Sequence, residues 1–222
     1  MAIAPVSHTR GIVVRGEFTP TLFHPTWFAE HGLIQPGEAS AARIEIVHPK
    51  ATVFALDWLS VNVTDSQVQF TTNLSAYFEV LRDLVVGTFR VLSQTPFRAV
   101  GINHLVHLPL STEAAWHEMG HALAPKVPWK DSLKNPGMRA VVLWGEREDD
   151  RKGYVQVNVE PSGQVKFGVY VAVNDHFQLA EESAPARTDA GEIASLVSNE
   201  WTASEKRAEA VLNSVIRIAE AN

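Results

Sequence analysis

One short run in this chain has the residue types and spacing of a reaction centre: His117-Glu118-Met119-Gly120-His121. Two histidines four apart on a helix sit one turn above each other, so both neutral imidazoles can reach a single Zn²⁺. The glutamate between them can take a proton from a metal-bound water, the chemistry of metal-assisted hydrolysis. Such a site requires a helix, and the pattern predicts one over 112–123. Pro125 and Pro128 end it within a turn of His121.

The ten residues Ala114–Leu123 resemble the zincin metallopeptidase signature. That resemblance implies His117 and His121 as zinc ligands and Glu118 as general base. Uncharged residues at 114, 115, 119, 120 and 122 suit the family pattern. The chain departs from it after His121, where Ala-Leu-Ala-Pro-Lys-Val-Pro-Trp replaces the Gly and His of a metzincin. A gluzincin would need a downstream helical glutamate. Glu146 and Glu148 fall instead at an expected strand end and in a hairpin loop, so no third ligand is assigned. On a helical wheel Trp116, Met119 and Leu123 form the apolar stripe, and both histidines fall on the solvated side. An earlier segment, HPTWFAEHGL at 24–33, fills the same kind of element without a metal pattern. The first expectation is thus a helix that buries its tryptophan, with Glu118 exposed between two exposed histidines. A zinc hydrolase is the alternative.

Other candidates carry less chemistry. Asn174-Asp175-His176 reads as the turn ending a strand, or as a ligand or acid–base pair. His104 and His107, three apart in a strand, fall on opposite faces and suit packing or hydrogen bonding. Lys126, Trp129, Lys130 and Lys134 make either a small basic, aromatic binding patch or a solvated turn with one anchoring tryptophan. No phosphate-binding loop, dinucleotide fingerprint or nucleophile elbow is present.

The elements that must position these residues are those of a soluble α+β protein. Apolar residues make up 45% and charged residues 20% of the chain, ordinary values for a globular domain. The net charge of −6 argues against a general nucleic-acid binder, which carries a basic face. Zero cysteines exclude disulfides, thiolate metal sites and a cysteine nucleophile. With no long apolar run at the N-terminus or elsewhere, the expectation is a cytoplasmic protein without a membrane span.

Hydrophobic periodicity predicts a strand at 11–18 and a short helix at 24–33, stopped by Gly32 and Pro36-Gly37. Strands at 42–47, 52–63 and 67–72 follow, then a helix capped by Ser75. The second half predicts a strand at 98–108, the 112–123 helix, and strands at 138–145, 153–160 and 164–173. A loop at 180–188 leads to a closing helix, with Asp189 and Glu192 as a capping box. The order strand, helix, three strands, helix therefore occurs twice, over 1–95 and 96–222, expected to fold as one compact domain. Val61-Asn62-Val63 matches Val157-Asn158-Val159, Val68 and Phe70 match Val165 and Phe167, Trp27 matches Trp116, and Gly11 matches Gly101. The expected fold is an internal duplication: mainly antiparallel sheet, helices on one face, two halves about a pseudo-twofold axis. In order of elements it is similar to the TATA-binding-protein-like saddle. The function expected is non-enzymatic, with the sheet surface or inter-repeat groove binding a protein or small-ligand partner, or with self-association. No cofactor is expected under that reading and zinc under the alternative. A nucleic-acid saddle ranks third.

Overall fold

The computed structural model describes residues 3–181 and 183–220. Nine strands form one sheet: β1 (Ser7–Gly16), β2 (Arg43–His48), β3 (Ala51–Ala55), β4 (Ser60–Thr64), β5 (Gln67–Thr72), β6 (Phe97–Pro109), β7 (Val141–Glu146), β8 (Gly153–Pro161) and β9 (Gly168–Gln178). They lie in the order β2-β3-β4-β5-β1-β6-β9-β8-β7, and every neighbouring pair is antiparallel. The helices are α1 (Pro25–Glu30), α2 (Pro36–Ala41), α3 (Phe78–Val91), α4 (Glu113–Leu123) and α5 (Gly191–Glu220). The α+β class and the mainly antiparallel sheet therefore stand. No helix among the described residues is long and apolar enough to cross a membrane.

Period two decides the faces. Ile12, Val14, Val61, Val63, Val68 and Phe70 are all fully buried, and in each strand they alternate with residues pointing the other way. Both apolar clusters lie on this one side. The larger joins the first-half strands to α1, α3 and the first half of α5, including Ile193, Leu196 and Trp201. The smaller joins β6, β8 and β9 to α4 and the second half of α5, through Met119, Ala208 and Val215. At 30 residues, α5 reaches roughly 45 Å and spans both clusters. Its Trp201 indole donates to Glu79 of α3 at 2.9 Å.

Several boundaries differ from the periodicity reading. The expected strand 52–63 is two strands, because Leu56–Leu59 turns the chain through a Leu56 N to Leu59 O bond of 2.8 Å. The turn escapes notice because Leu56, Trp58 and Leu59 are apolar and buried, leaving Asp57 as its one exposed residue. Trp58 donates to Glu38 at 2.7 Å and stacks on Tyr77. Pro36-Gly37 starts a helix instead of stopping one: Pro36 takes the first helical position and Glu38 accepts from Gln35 N at 2.8 Å, where proline's missing N–H costs nothing. Ser75 opens a short 3-10 turn, Ser75–Tyr77, ahead of α3 and does not cap it.

The last strand begins at Gly168 and not at Gln164. The β8–β9 connection runs on to Phe167, whose φ of 53° no strand accommodates. Val165 and Phe167, matched by sequence to Val68 and Phe70 of β5, thus lie in a turn. At the loop before α5, Arg187 pairs its backbone with Phe97 in both directions, at 2.8 and 3.0 Å; residue 182 of the expected 180–188 loop lies outside the described residues. The α5 start keeps half of its capping box: Asp189 accepts from Gly191 N at 3.1 Å, while Glu192 turns to Arg187 at 2.6 Å.

Candidate functional site

α4 is held by its apolar stripe. Thr112 caps it, accepting from Ala115 N at 3.1 Å. Met119 is buried and Trp116 and Leu123 are half-buried, and the Trp116 indole donates to the Gly168 carbonyl at 3.1 Å. That anchorage turns His117, Glu118 and His121 outward, all exposed. His117 lies 3.9 Å from Glu113. Both histidines border a small cleft of about 120 Å³, shared with Lys126, Gly137 and Met138. Among the described residues no three His, Asp or Glu side chains stand close enough to hold one metal ion.

Lys126 closes the end of that helix, its ammonium donating to Gly120 O at 2.7 Å and to Ala124 O, where unsatisfied carbonyls attract a cation. Trp129 ends a 3-10 turn, Val127–Trp129, and is 54% exposed. It anchors nothing in the core. Lys130 and Lys134 beside it are exposed.

Asn174, Asp175 and His176 are not at a strand end. They lie inside β9, and their side chains alternate between faces. Asp175 points to the helices and is fully buried. It accepts from Arg207 of α5 at 2.6 and 2.9 Å and from Arg147. Glu200 accepts from Arg207 at 3.2 Å and Arg151 at 2.9 Å, and Asp149 accepts from Arg147 at 2.8 Å. The Arg147 guanidinium, 1% exposed, covers the Phe177 ring at 3.9 Å. Hydrogen bonding to Arg147 holds the Asp149 carboxyl below its usual range. This charged cluster fastens the β7–β8 connection to α5.

Beside it, His104 is buried and contacts Ser204 of α5 at 2.9 Å. Burial, with the Arg10 and Arg207 charges adding to it, lowers its pKa to about 3, so it is a neutral strut between sheet and helix. His107 points to the opposite face, meeting Ser162 at 2.7 Å and the Tyr170 ring.

That opposite face carries none of the His117–His121 motif. Among the described residues, none of either apolar cluster lies on it. Paired residues cross it in rows, one running Ser60, Thr71, Gly11, Asn103, Asn174, Gln156 and Trp144. The next row carries Asn62, Gln69, Val13, Gly101, His176 and Tyr154. Tyr154 stacks on His176 with centroids 4.5 Å apart, and Trp144 sits edge-on to Tyr154. At mid-sheet the glycines are bare by necessity. A Cβ on Gly101 would stand 2.8 Å from Asn174 Oδ1, and one on Gly11 2.9 Å from Thr71 Cγ2. Asn158 Oδ1 and Asn174 Oδ1 are shielded from water and have no hydrogen-bond partner. The signal for this face was in the sequence as period two: amides alternate with valines in Val61-Asn62-Val63 and Val157-Asn158-Val159.

A comparison with known proteins finds no matching family model and no matching curated sequence.

Proposed function

We propose that this protein is a non-enzymatic binding module whose partner docks on the helix-free face of the sheet. The observation that carries the reading is the composition of that face. It is wide and sparsely charged, with Arg15, Arg43, Glu146 and Glu160 spread among amides and hydroxyls and an aromatic cluster at one side. Accessible amides and hydroxyls on such a face can exchange hydrogen bonds with an extended polypeptide backbone, so the partner class is protein. A nucleic-acid saddle is disfavoured, because a phosphate-binding face needs clustered lysine and arginine and this one exposes both Arg15 and Glu146, on separate strands.

The reading includes an architecture of two related halves. The strand order descends outward from the β1–β6 pair on both sides, β1-β5-β4-β3-β2 and β6-β9-β8-β7, with one strand more on the first side. Ile12 pairs with Ile102 at its centre, the same 90-residue spacing that separates Gly11 from Gly101. A duplicated, saddle-like sheet about a pseudo-twofold axis through that pair accounts for both.

The zinc-hydrolase alternative keeps its two histidines and Glu118 but gains no third protein ligand among the described residues. The test is affinity capture from cell extract with the wild type, Asn174→Lys with Gln156→Lys, and His117→Ala with His121→Ala. A partner lost only by the sheet variant supports the reading. A partner retained by the sheet variant, or lost by the histidine variant, overturns it.

A further inference from the structure

The two edges of the sheet are built differently. β2 carries Arg43, Glu45 and His48 among its apolar residues and is bulged between Ile44 and Ile46, devices that blunt an edge against another strand. β7, Val-Val-Leu-Trp-Gly-Glu, has neither. Its pairing to β8 is regular from Val141 to Glu146, and no charge interrupts it before Glu146. Its side chains are apolar on both faces and open to solvent: Val142 56%, Leu143 61% and Trp144 70% exposed. On the helix side Val141 and Leu143 border an apolar cleft of about 190 Å³ with Leu123, Val211, Val215 and Ile218.

Charge around this edge is polar along the strand. The connection before it exposes Lys130, Lys134 and Arg139, outweighing Asp131. The hairpin after it exposes Glu146, Glu148 and Asp150, while Arg147 is drawn inward to Asp175 and the exposed Arg151 and Lys152 are paired to Glu200 and Glu181.

We propose that β7 is a homodimerisation edge: a second copy of this chain pairs antiparallel along it about a twofold axis. Antiparallel self-pairing is the arrangement that sets each basic end against the other copy's acidic end; parallel pairing sets like against like. Centred on Leu143, the pairing places Leu143 opposite its counterpart over the joined clefts, and Val142 opposite Trp144 of the second copy on the other face. Such an interface is isologous and closes at two copies, since β2 does not offer a matching edge. The exposed side chains and the strand make a contact short of the about 800 Å² per copy of a standard interface. The dimer is therefore a concentration-dependent equilibrium. This inference is separable from the binding reading at Leu143, which faces the helices, whereas Trp144 and Glu146 of the same strand lie on the helix-free face.

Sedimentation equilibrium tests it with the wild type, Leu143→Lys, the pair Glu146→Lys with Glu148→Lys, and that pair combined with Lys134→Glu and Arg139→Glu. The wild type is expected to dimerise. Leu143→Lys and the acidic-end reversal should each weaken it at least about tenfold, and the four-fold exchange should restore it to within about threefold. Far-UV circular dichroism checks folding; if Leu143→Lys is misfolded, the charge exchange decides, because those side chains are exposed. A wild type that stays monomeric to about 0.5 mM, a folded Leu143→Lys with unchanged affinity, or failure of the exchange to restore it overturns the proposal. So does a monomer that takes only a foreign peptide along β7.

Discussion

His104 gives the sharpest quantitative prediction. In the folded protein it stays neutral down to about pH 3, whereas in the unfolded chain histidine titrates near 6.5. Between those values the unfolded chain holds a proton that the folded chain refuses. A depressed pKa of this kind contributes stability that is present in full above pH 6.5 and lost as pH falls toward 3. The loss between about pH 7 and about pH 4.5 is roughly 2.5 kcal/mol. The physical cause is a ring with 3% exposure, pinned to Ser204 and facing the Arg10 and Arg207 guanidinium groups. His104→Gln removes the titration and keeps a side chain able to hydrogen-bond Ser204. Urea unfolding, followed by tryptophan fluorescence at several pH values across that window, gives the stability of both proteins. The variant starts less stable, and the gap should narrow by roughly 2.5 kcal/mol as acid is added. Groups titrating alike in both proteins cancel in the difference. A gap constant to within about 0.5 kcal/mol would refute the reasoning, because the strut would then not be excluding a proton.

Three further outcomes are expected. Asp175→Asn leaves Arg147 and Arg207 facing a neutral amide in a buried site and should cost about 3–5 kcal/mol, read by the same unfolding assay. His117→Ala with His121→Ala changes two exposed side chains and should shift stability by no more than about 0.5 kcal/mol; elemental analysis of the two proteins, purified without chelator, should show the same metal content. Gly101→Ala pushes a methyl group against Asn174 Oδ1 and should cost about 1–3 kcal/mol. It should also weaken capture of the partner, whereas a substitution on the outer surface of α3 should not.

How much of this was legible in the sequence varied with the physics of each element. Period two and period 3.6 located the strands of the sheet and the long helices, because burial of one face writes itself directly into the order of residues. The boundaries that failed share a cause. Leu56–Leu59 is a turn that is also core, so hydrophobicity hid it. Pro36 followed by Gly37 has the composition of a stop, yet the Gln35–Glu38 cap makes it a start. Asp175 looked like a turn residue and is a buried anion, because its partners Arg147 and Arg207 lie 28 and 32 residues away and no local pattern connects them. For the candidate site, the histidine motif drew attention by chemistry. The amide rows belong to strands far apart in sequence, and only the sheet brings Gly11, Asn103, Asn174 and Gln156 into line.

Hydroxyl-radical footprinting of the captured complex maps the binding face. Protection is expected at Tyr154, Tyr170 and His107 on the helix-free face, with His117 and His121 on α4 labelled as in the free protein. Protection confined to α4 or to the outer surface of α3 and α5, with the three sheet residues unchanged, would contradict that placement.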